Sequence, residues 1–368
     1  MEIYIKDVIQ FLESKVPISL QESYDNCGLL VGDSTKLVNG VLLCLDVTEE
    51  ILNEAIQLNC NVIIAHHPFI FSGIKKITGA NATERILISA IKNNIAIYAG
   101  HTNYDNVDFG VNKIICEKLG LKNTKILAPQ KNSLLKLQTY APSAHADSIR
   151  KAIFEAGAGS IGNYTNCSFN TQGQGTFRAS TESNPFVGEK NQDHTENETK
   201  IEVIFPNYIQ SKVVSALIKN HPYQEVAYDI IPLLNSSINT GAGMIGELES
   251  EMNETDLLQF ISEKFNAQSI RYTRLLGKNV KNIAVCGGSG SFLLSSAIAK
   301  GADFFITADF KYHQFFDAEG KIVVADIGHF ESEQFTTELF FSLLKEKFST
   351  FAIHFSKINT NPINYFKA

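Results

Sequence analysis

Four histidines and two acids fall where apolar strands end. "NVIIAHHP" (61–68) runs through Val62, Ile63, Ile64 and Ala65 and stops at His66-His67. "NIAIYAGHTNYD" (94–105) ends in Gly100-His101, with Asp105 four residues on, and "KIVVADIGHFESE" (321–333) ends in Gly328-His329, with Glu333 four residues on. A G-H-x-x-x-acid unit therefore occurs twice. If a helical turn follows each strand, residues i and i+4 share a face, and each unit presents an imidazole and a carboxylate together. His66 and His67 are neighbours in an extended chain, so their rings point apart. They suit two different ions, or one ion and one substrate. Mixed nitrogen and carboxylate ligation suits zinc, manganese, iron(II) or nickel. Two ions about 3.5–4 Å apart that share a carboxylate would activate a water for hydrolysis. The competing reading uses the same side chains without metal, for acid–base or phosphohistidine chemistry. A lone histidine at a strand end is most often only a capped or packed ring. The duplication favours metal, because it repeats ligand types and not merely core residues.

The elements that must position these residues also come in pairs. "GVLLCLDV" (40–47) reads as a strand, "TEEILNEAIQLN" as a helix and "NVIIAHHP" as a strand. Far downstream, "KNIAVCGGSG" (281–290), "SFLLSSAIAKG" and "ADFFITADFKYH" repeat that order. Near-continuous apolar strands separated by helices predict a parallel or mixed sheet covered on both faces. In such sheets, sites form beyond the carboxyl ends of the strands, where all four histidines stand. The expected architecture is α/β: two similar lobes, 1–129 and 236–368, forming one main domain. Between them, residues 130–235 read as strand, helix, two strands, helix, strand, a ferredoxin-like inserted α+β domain. Its "STESNPFVGEKNQDHTENET" (180–199) is polar enough for an exposed loop. The glycine-rich "CGGSGS" (286–291) reads equally as a tight strand–helix turn or as backbone N–H groups set to cradle an anion. Asp309, Lys311, Tyr312 and His313 occupy the place matching His66-His67 and are candidates to line the same cleft. Glu331, two residues from His329, is a weaker ligand candidate than Glu333.

Composition narrows the function classes. The 368 residues carry 32 basic and 39 acidic side chains, a net charge of −7, with no basic block. Binding nucleic acid through phosphate neutralisation needs clustered lysine and arginine, so a nucleic-acid partner is ranked last. The N-terminal "MEIYIKDVIQFLESK" mixes charges into a helical stripe and lacks the apolar core of a signal peptide. No apolar run approaches the roughly 18 residues of a membrane helix, so no membrane role is expected. The six cysteines are scattered without a C-x-x-C pair, which suits the reducing cytoplasm.

Taken in order, "SYDNCGLLVGD", "AHHPFIF", "GHTNYDNVDFGVN", "GAGMIGEL", "CGGSGSF", "TADFKYH" and "DIGHFESEQF" resemble the successive motifs of the GTP cyclohydrolase I type 2 homologue family, also called Nif-three-like. The insert, ending "HPYQEVAYDIIPL", resembles the PII/CutA-like domain of its longer members. One departure is Tyr24, where the family commonly has Trp. The resemblance implies two divalent ions per subunit (zinc, manganese or iron), held by His66, His67, Asp105, His329 and Glu333, with Glu333 able to bridge. It implies that His101 stands beside the ions and assists water or substrate. It further implies a toroidal homohexamer whose sites face an internal cavity and whose inserts cover the openings. The expected activity is metal-dependent hydrolysis of a nucleotide-type substrate. The rival expectation is a non-enzymatic metal-binding or regulatory hexamer.

Overall fold

The computed structural model describes residues 2–366. The chain divides into two compact units, one built from residues 1–128 and 239–368, the other from 129–238. Both mix helices and sheets, the α/β character expected from the alternating strand and helix patterns.

The larger unit holds two sheets. In the first, the strands run in the order Gly28–Val31, Ala96–Ala99, Val62–Ala65, Gly40–Cys44, Ala352–Phe355. The last four are mutually parallel and Gly28–Val31 is antiparallel to its neighbour. The second sheet runs Arg271–Tyr272, Val323–Asp326, Phe304–Ala308, Asn279–Ser289, Gly241–Asn253, Lys122–Pro129. Here the strands starting at 279, 304 and 323 are parallel, and Arg271–Tyr272 pairs antiparallel with the third of them. The two sheets thus share a local plan: three parallel strands in sequence order, with a short antiparallel strand beside the third.

Burial explains why these strands are apolar throughout. Every residue of Gly40–Cys44, Val62–Ala65, Ala96–Ala99, Phe304–Ala308 and Val323–Asp326 is buried, as parallel strands covered on both faces must be. Helices Glu49–Gln57 and Ala82–Lys92 cover the first sheet, packing Ile51, Leu52, Ala55, Ile86 and Ala90 against Leu42, Ile63 and Ile97. Each helix starts at a capping side chain: Thr48 accepts from the Ile51 N–H and Asn81 from the Glu84 N–H. Such caps satisfy an orphan donor and contribute about 1 kcal/mol each.

The smaller unit follows the order strand, helix, strand, strand, helix, strand. Its antiparallel sheet runs Phe169–Arg178, Asp193–Pro206, Leu134–Pro142, Tyr228–Leu233. Helices Ala146–Glu155 and Gln210–Asn220 bury Ile149, Ile153, Val213 and Leu217 against Leu137, Ile201, Val203 and Phe205. Among the described residues, no helix is long and apolar enough to cross a membrane.

Candidate metal centre

The carboxyl ends of both parallel sets deliver their next residues to one place. His66 and His67 follow Val62–Ala65, His101 follows Ala96–Ala99 by two residues, Asp309 follows Phe304–Ala308, and His329 opens the short helix His329–Glu333 just after Val323–Asp326. Asp105 closes the four-residue helix Thr102–Asp105. All six residues singled out from the sequence gather here. Three groups could each hold a metal ion, with ligand atoms within 4.8 Å of one another: His66, Asp105 and Glu333; His67, His329 and Glu333; and His66, His67 and His101.

Glu333 joins the first two groups. One of its oxygens lies 3.7 Å from His66 Nε2, and the other lies 2.9 Å from His67 Nε2 and 3.0 Å from His329 Nε2. The helical turn assumed from the i, i+4 spacing is what sets the last of these contacts. His66 Nε2 and Asp105 Oδ1 are 3.8 Å apart, and both atoms are buried with no hydrogen-bond partner. Buried polar atoms are nearly always paired. Two such orphans beside a third acceptor, Glu333, describe a place where a cation fits.

Every ring is anchored through Nδ1, which leaves Nε2 turned inward. His66 donates from Nδ1 to the Gly100 carbonyl at 2.8 Å, which makes Nε2 its lone-pair nitrogen. His67 donates to Asp46 at 2.7 Å, His101 to Asp25 at 2.9 Å, and His329 to Asp309 at 2.7 Å. This carboxylate–imidazole pattern is typical of metal-ligating histidines, where the outer partner fixes tautomer and orientation. Asp309 has φ of 58°, a left-handed conformation that Asp tolerates and that aims its carboxylate at His329. Asp25 also accepts from the Thr102 N–H and Asn26 N–H, and Asp46 from the Thr360 hydroxyl.

The electrostatics show the strain of so many ligands in one place. Burial alone opposes a charged His67, but its hydrogen bonds to Asp46 and Glu333 outweigh that and push its pKa up to about 9. His329 behaves alike: burial is overcome by Asp309 and Glu333, and it rises to about 11. Burial, followed by the Glu333 charge, drives Asp105 well above the carboxylate range. Glu333 itself, despite burial, is held well below that range by the surrounding imidazoles. Without metal, protons therefore stand where cations would.

The glycine turn resolves to one of its two readings. The Gly287 N–H donates to Asn112 at 2.9 Å and the Gly288 N–H to Ser332 at 2.9 Å, so neither is free to cradle an anion. The glycines serve a close approach instead: a Cβ on Gly288 would lie 2.3 Å from a Glu333 oxygen, and its φ is +59°. Of the group at 309–313, Asp309 reaches the cluster, while His313 packs its ring near Tyr312 and Phe316. Glu331 turns away and accepts from Asn361. The roles of Asp25 and Asp46 as ring partners were missed from sequence, because each sits on an element remote from the histidine it holds.

Two cavities flank the cluster. One of about 470 Å³ is walled by Phe69, Phe71, Phe330 and Pro362 beside His67 and His101. The other, about 400 Å³, takes in Glu22, Tyr24, Asn112 and Ser289 beside Asp105 and Glu333. Among the described residues, no lysine or arginine lines either.

Comparison with known proteins gives matches over almost the whole length. The sequence profile of the family described as Duf34/NIF3 (NGG1p interacting factor 3) matches residues 3–362. A Halalkalibacterium halodurans protein named "GTP cyclohydrolase 1 type 2 homolog" is 39% identical over 364 residues, spanning 97% of this chain and 98% of its own length. A Bacillus subtilis protein of the same name is 35% identical over 365 residues, 98% of each chain. The crystal structure of a Bacillus cereus protein related to NIF3 superposes with a TM-score of 0.85 at 38% identity, covering 99% of both chains.

Proposed function

This chain belongs to the Duf34/NIF3 family, and from that premise we propose that it is a dinuclear metal-dependent hydrolase acting on a nucleotide-type substrate, as the name of its relatives suggests. The observation that carries the proposal is the pair of orphaned atoms, His66 Nε2 and Asp105 Oδ1, facing a carboxylate whose other oxygen meets His67 and His329. His66, Asp105 and Glu333 would hold one divalent cation, and His67, His329 and Glu333 a second. Bound there, such a pair acidifies water and stabilises developing negative charge. Nitrogen and carboxylate donors together suit zinc, manganese or iron(II).

The remaining tasks fall to this chain's own groups. His101, fixed through Nδ1 by Asp25, presents Nε2 beside the cluster and would move the proton of the attacking water. Burial opposes charge on Asp25, yet the hydrogen bonds from His101 and Thr102 hold it well below the usual carboxylate range, so it stays a negative partner for a His101 that gains a proton. Phe69, Phe71 and Phe330 offer an apolar wall for a heterocyclic base. With no lysine or arginine lining the cavities among the described residues, we place the base there and not a triphosphate tail.

The inserted unit, by its element order and strand order, is proposed to be PII/CutA-like, and the assembly a toroidal homohexamer in the cytoplasm. The exposed rings of Tyr272, Phe292, Tyr312 and Phe316 supply apolar surface of the kind that marks association. Light scattering tests the assembly. The function is tested by loading purified protein with manganese or zinc and assaying a panel of nucleotides and nucleosides beside the His67→Ala and His101→Ala variants. Turnover that is lost in both, with metal retained in His101→Ala, supports the reading. No turnover above the variants removes the hydrolase and leaves the rival, a metal-binding regulatory assembly.

A further inference from the structure

The inserted unit has a cavity of its own, of about 300 Å³. Three aromatic rings line it. Tyr223 stands 6.2 Å from Phe177 and 6.3 Å from Phe186, centroid to centroid, with interplanar angles of 58° and 51°. Rings set at those angles form a corner and not a stack. Two carboxylates, Glu198 and Glu225, also face this space, and among the described residues no lysine or arginine does.

Glu198 is held there by its surroundings. It lies on the strand Asp193–Pro206, and one of its oxygens accepts the Tyr223 hydroxyl at 2.8 Å. Its other oxygen rests over Gly175 on the neighbouring strand, where an added Cβ would come within 2.1 Å of it. Glycine at 175 therefore makes room for the carboxylate. Lys200, in an adjoining cavity, faces Glu202 at 3.6 Å.

Aromatic faces attract a cation lying within about 6 Å of the ring centroid, more strongly where water is excluded, and a carboxylate beside them supplies the opposite charge. Among the described residues, no three histidine, cysteine, aspartate or glutamate side chains bring ligand atoms together here as a metal ion would need. We propose that the inserted unit binds a small organic cation, an amine or quaternary ammonium compound, in the corner formed by Phe177, Phe186 and Tyr223, with Glu198 as its counter-ion. The proposal stands apart from the hydrolase reading, since no residue is shared.

Titration calorimetry of the full chain with choline and with its uncharged carbon isostere, dimethylbutanol, separates charge from shape. Choline is expected to bind at least about tenfold more tightly than the isostere. Glu198→Gln should weaken choline about tenfold and leave the isostere unchanged, and Gly175→Val, which displaces the carboxylate, should do the same. Tyr223→Phe keeps the ring and should hold affinity within about threefold. Ethanolamine binding in place of choline, with the same loss in Glu198→Gln, assigns a primary amine. Measurable and equal affinity for the isostere and the bound cation, unchanged binding of that cation in Glu198→Gln, or no heat from either choline or ethanolamine at millimolar concentration overturns the proposal. Should a variant fail to fold by circular dichroism, the comparison of choline and ethanolamine with the isostere on the unaltered protein decides alone.

Discussion

His66 Nε2 and Asp105 Oδ1 lie 3.8 Å apart, both buried and neither hydrogen-bonded. Leaving a buried acceptor unpaired costs roughly 1–3 kcal/mol, so the metal-free fold answers by holding a proton on Asp105, whose pKa burial and the Glu333 charge raise. Asp105→Asn fixes an uncharged amide donor beside His66, which needs no retained proton to satisfy it. The variant is expected to melt no lower than the parent when metal-free, yet to bind one divalent ion fewer per chain. Elemental analysis of dialysed protein, read with a thermal melt, checks both halves.

Glu333 touches both halves of the cluster, so its loss should be worse. Glu333→Gln is expected to lower metal content at both positions, where Asp105→Asn lowers it at one. Retention of a full metal complement by Glu333→Gln would remove the bridging role.

The outer carboxylates act through the rings they hold. Asp46→Asn leaves His67 in place but weakens the acceptor that orients it. Such outer partners typically matter by about 10–100-fold in metal affinity, and a competition titration against a chelator should find a loss in that range. An unchanged affinity would mean that packing alone orients His67.

Metal-free protein should lose stability as the pH rises. His67 is raised from an ordinary 6.5 to about 9. Its stabilisation is therefore complete below about 6.5 and disappears as pH climbs through 9. Asp105, raised by burial and by Glu333, adds to the loss in the same direction, because the fold holds its proton beyond the pH where the unfolded chain releases it. The melting temperature of metal-free protein should fall between about pH 6.5 and 9, and metal uptake should release protons and strengthen across that window. A flat or rising profile for the metal-free form would contradict this.

Gly288 is the backbone's concession to Glu333. Gly288→Ala meets a φ of +59° and a Cβ only 2.3 Å from the carboxylate. It is expected to cost about 1–3 kcal/mol of stability and to reduce metal content. Gly73→Ala, where nothing lies within 4 Å, is the neutral control in the same melting experiment.

Much of this was legible in the sequence, for definable reasons. Strands buried on both faces must be apolar end to end, so "VIIA" and "FFITA" announced themselves. Imidazoles at their carboxyl ends pointed to the site, and the i, i+4 spacing supplied the His329–Glu333 contact. Asp25 and Asp46 carried no such mark, since their partners lie 76 and 21 residues away and the pairing exists only once separate strands meet. The Gly100 carbonyl that fixes His66 is backbone and has no sequence signature at all. "CGGSGS" stayed ambiguous because glycine serves a phosphate and a crowding carboxylate equally well, and only the hydrogen bonds from Gly287 and Gly288 decide between them.

The contact between His67 and Glu333 joins residues 266 positions apart. A ribosome must therefore have passed residue 333 before this pair can meet, and a chain that stops short of residue 329 holds only His66, His67, His101 and Asp105 of the cluster. Metal capture by the complete cluster is in that sense a report on synthesis past residue 333: a product that stops short of residue 329 keeps three of the imidazoles but lacks the shared carboxylate that would keep two cations in step.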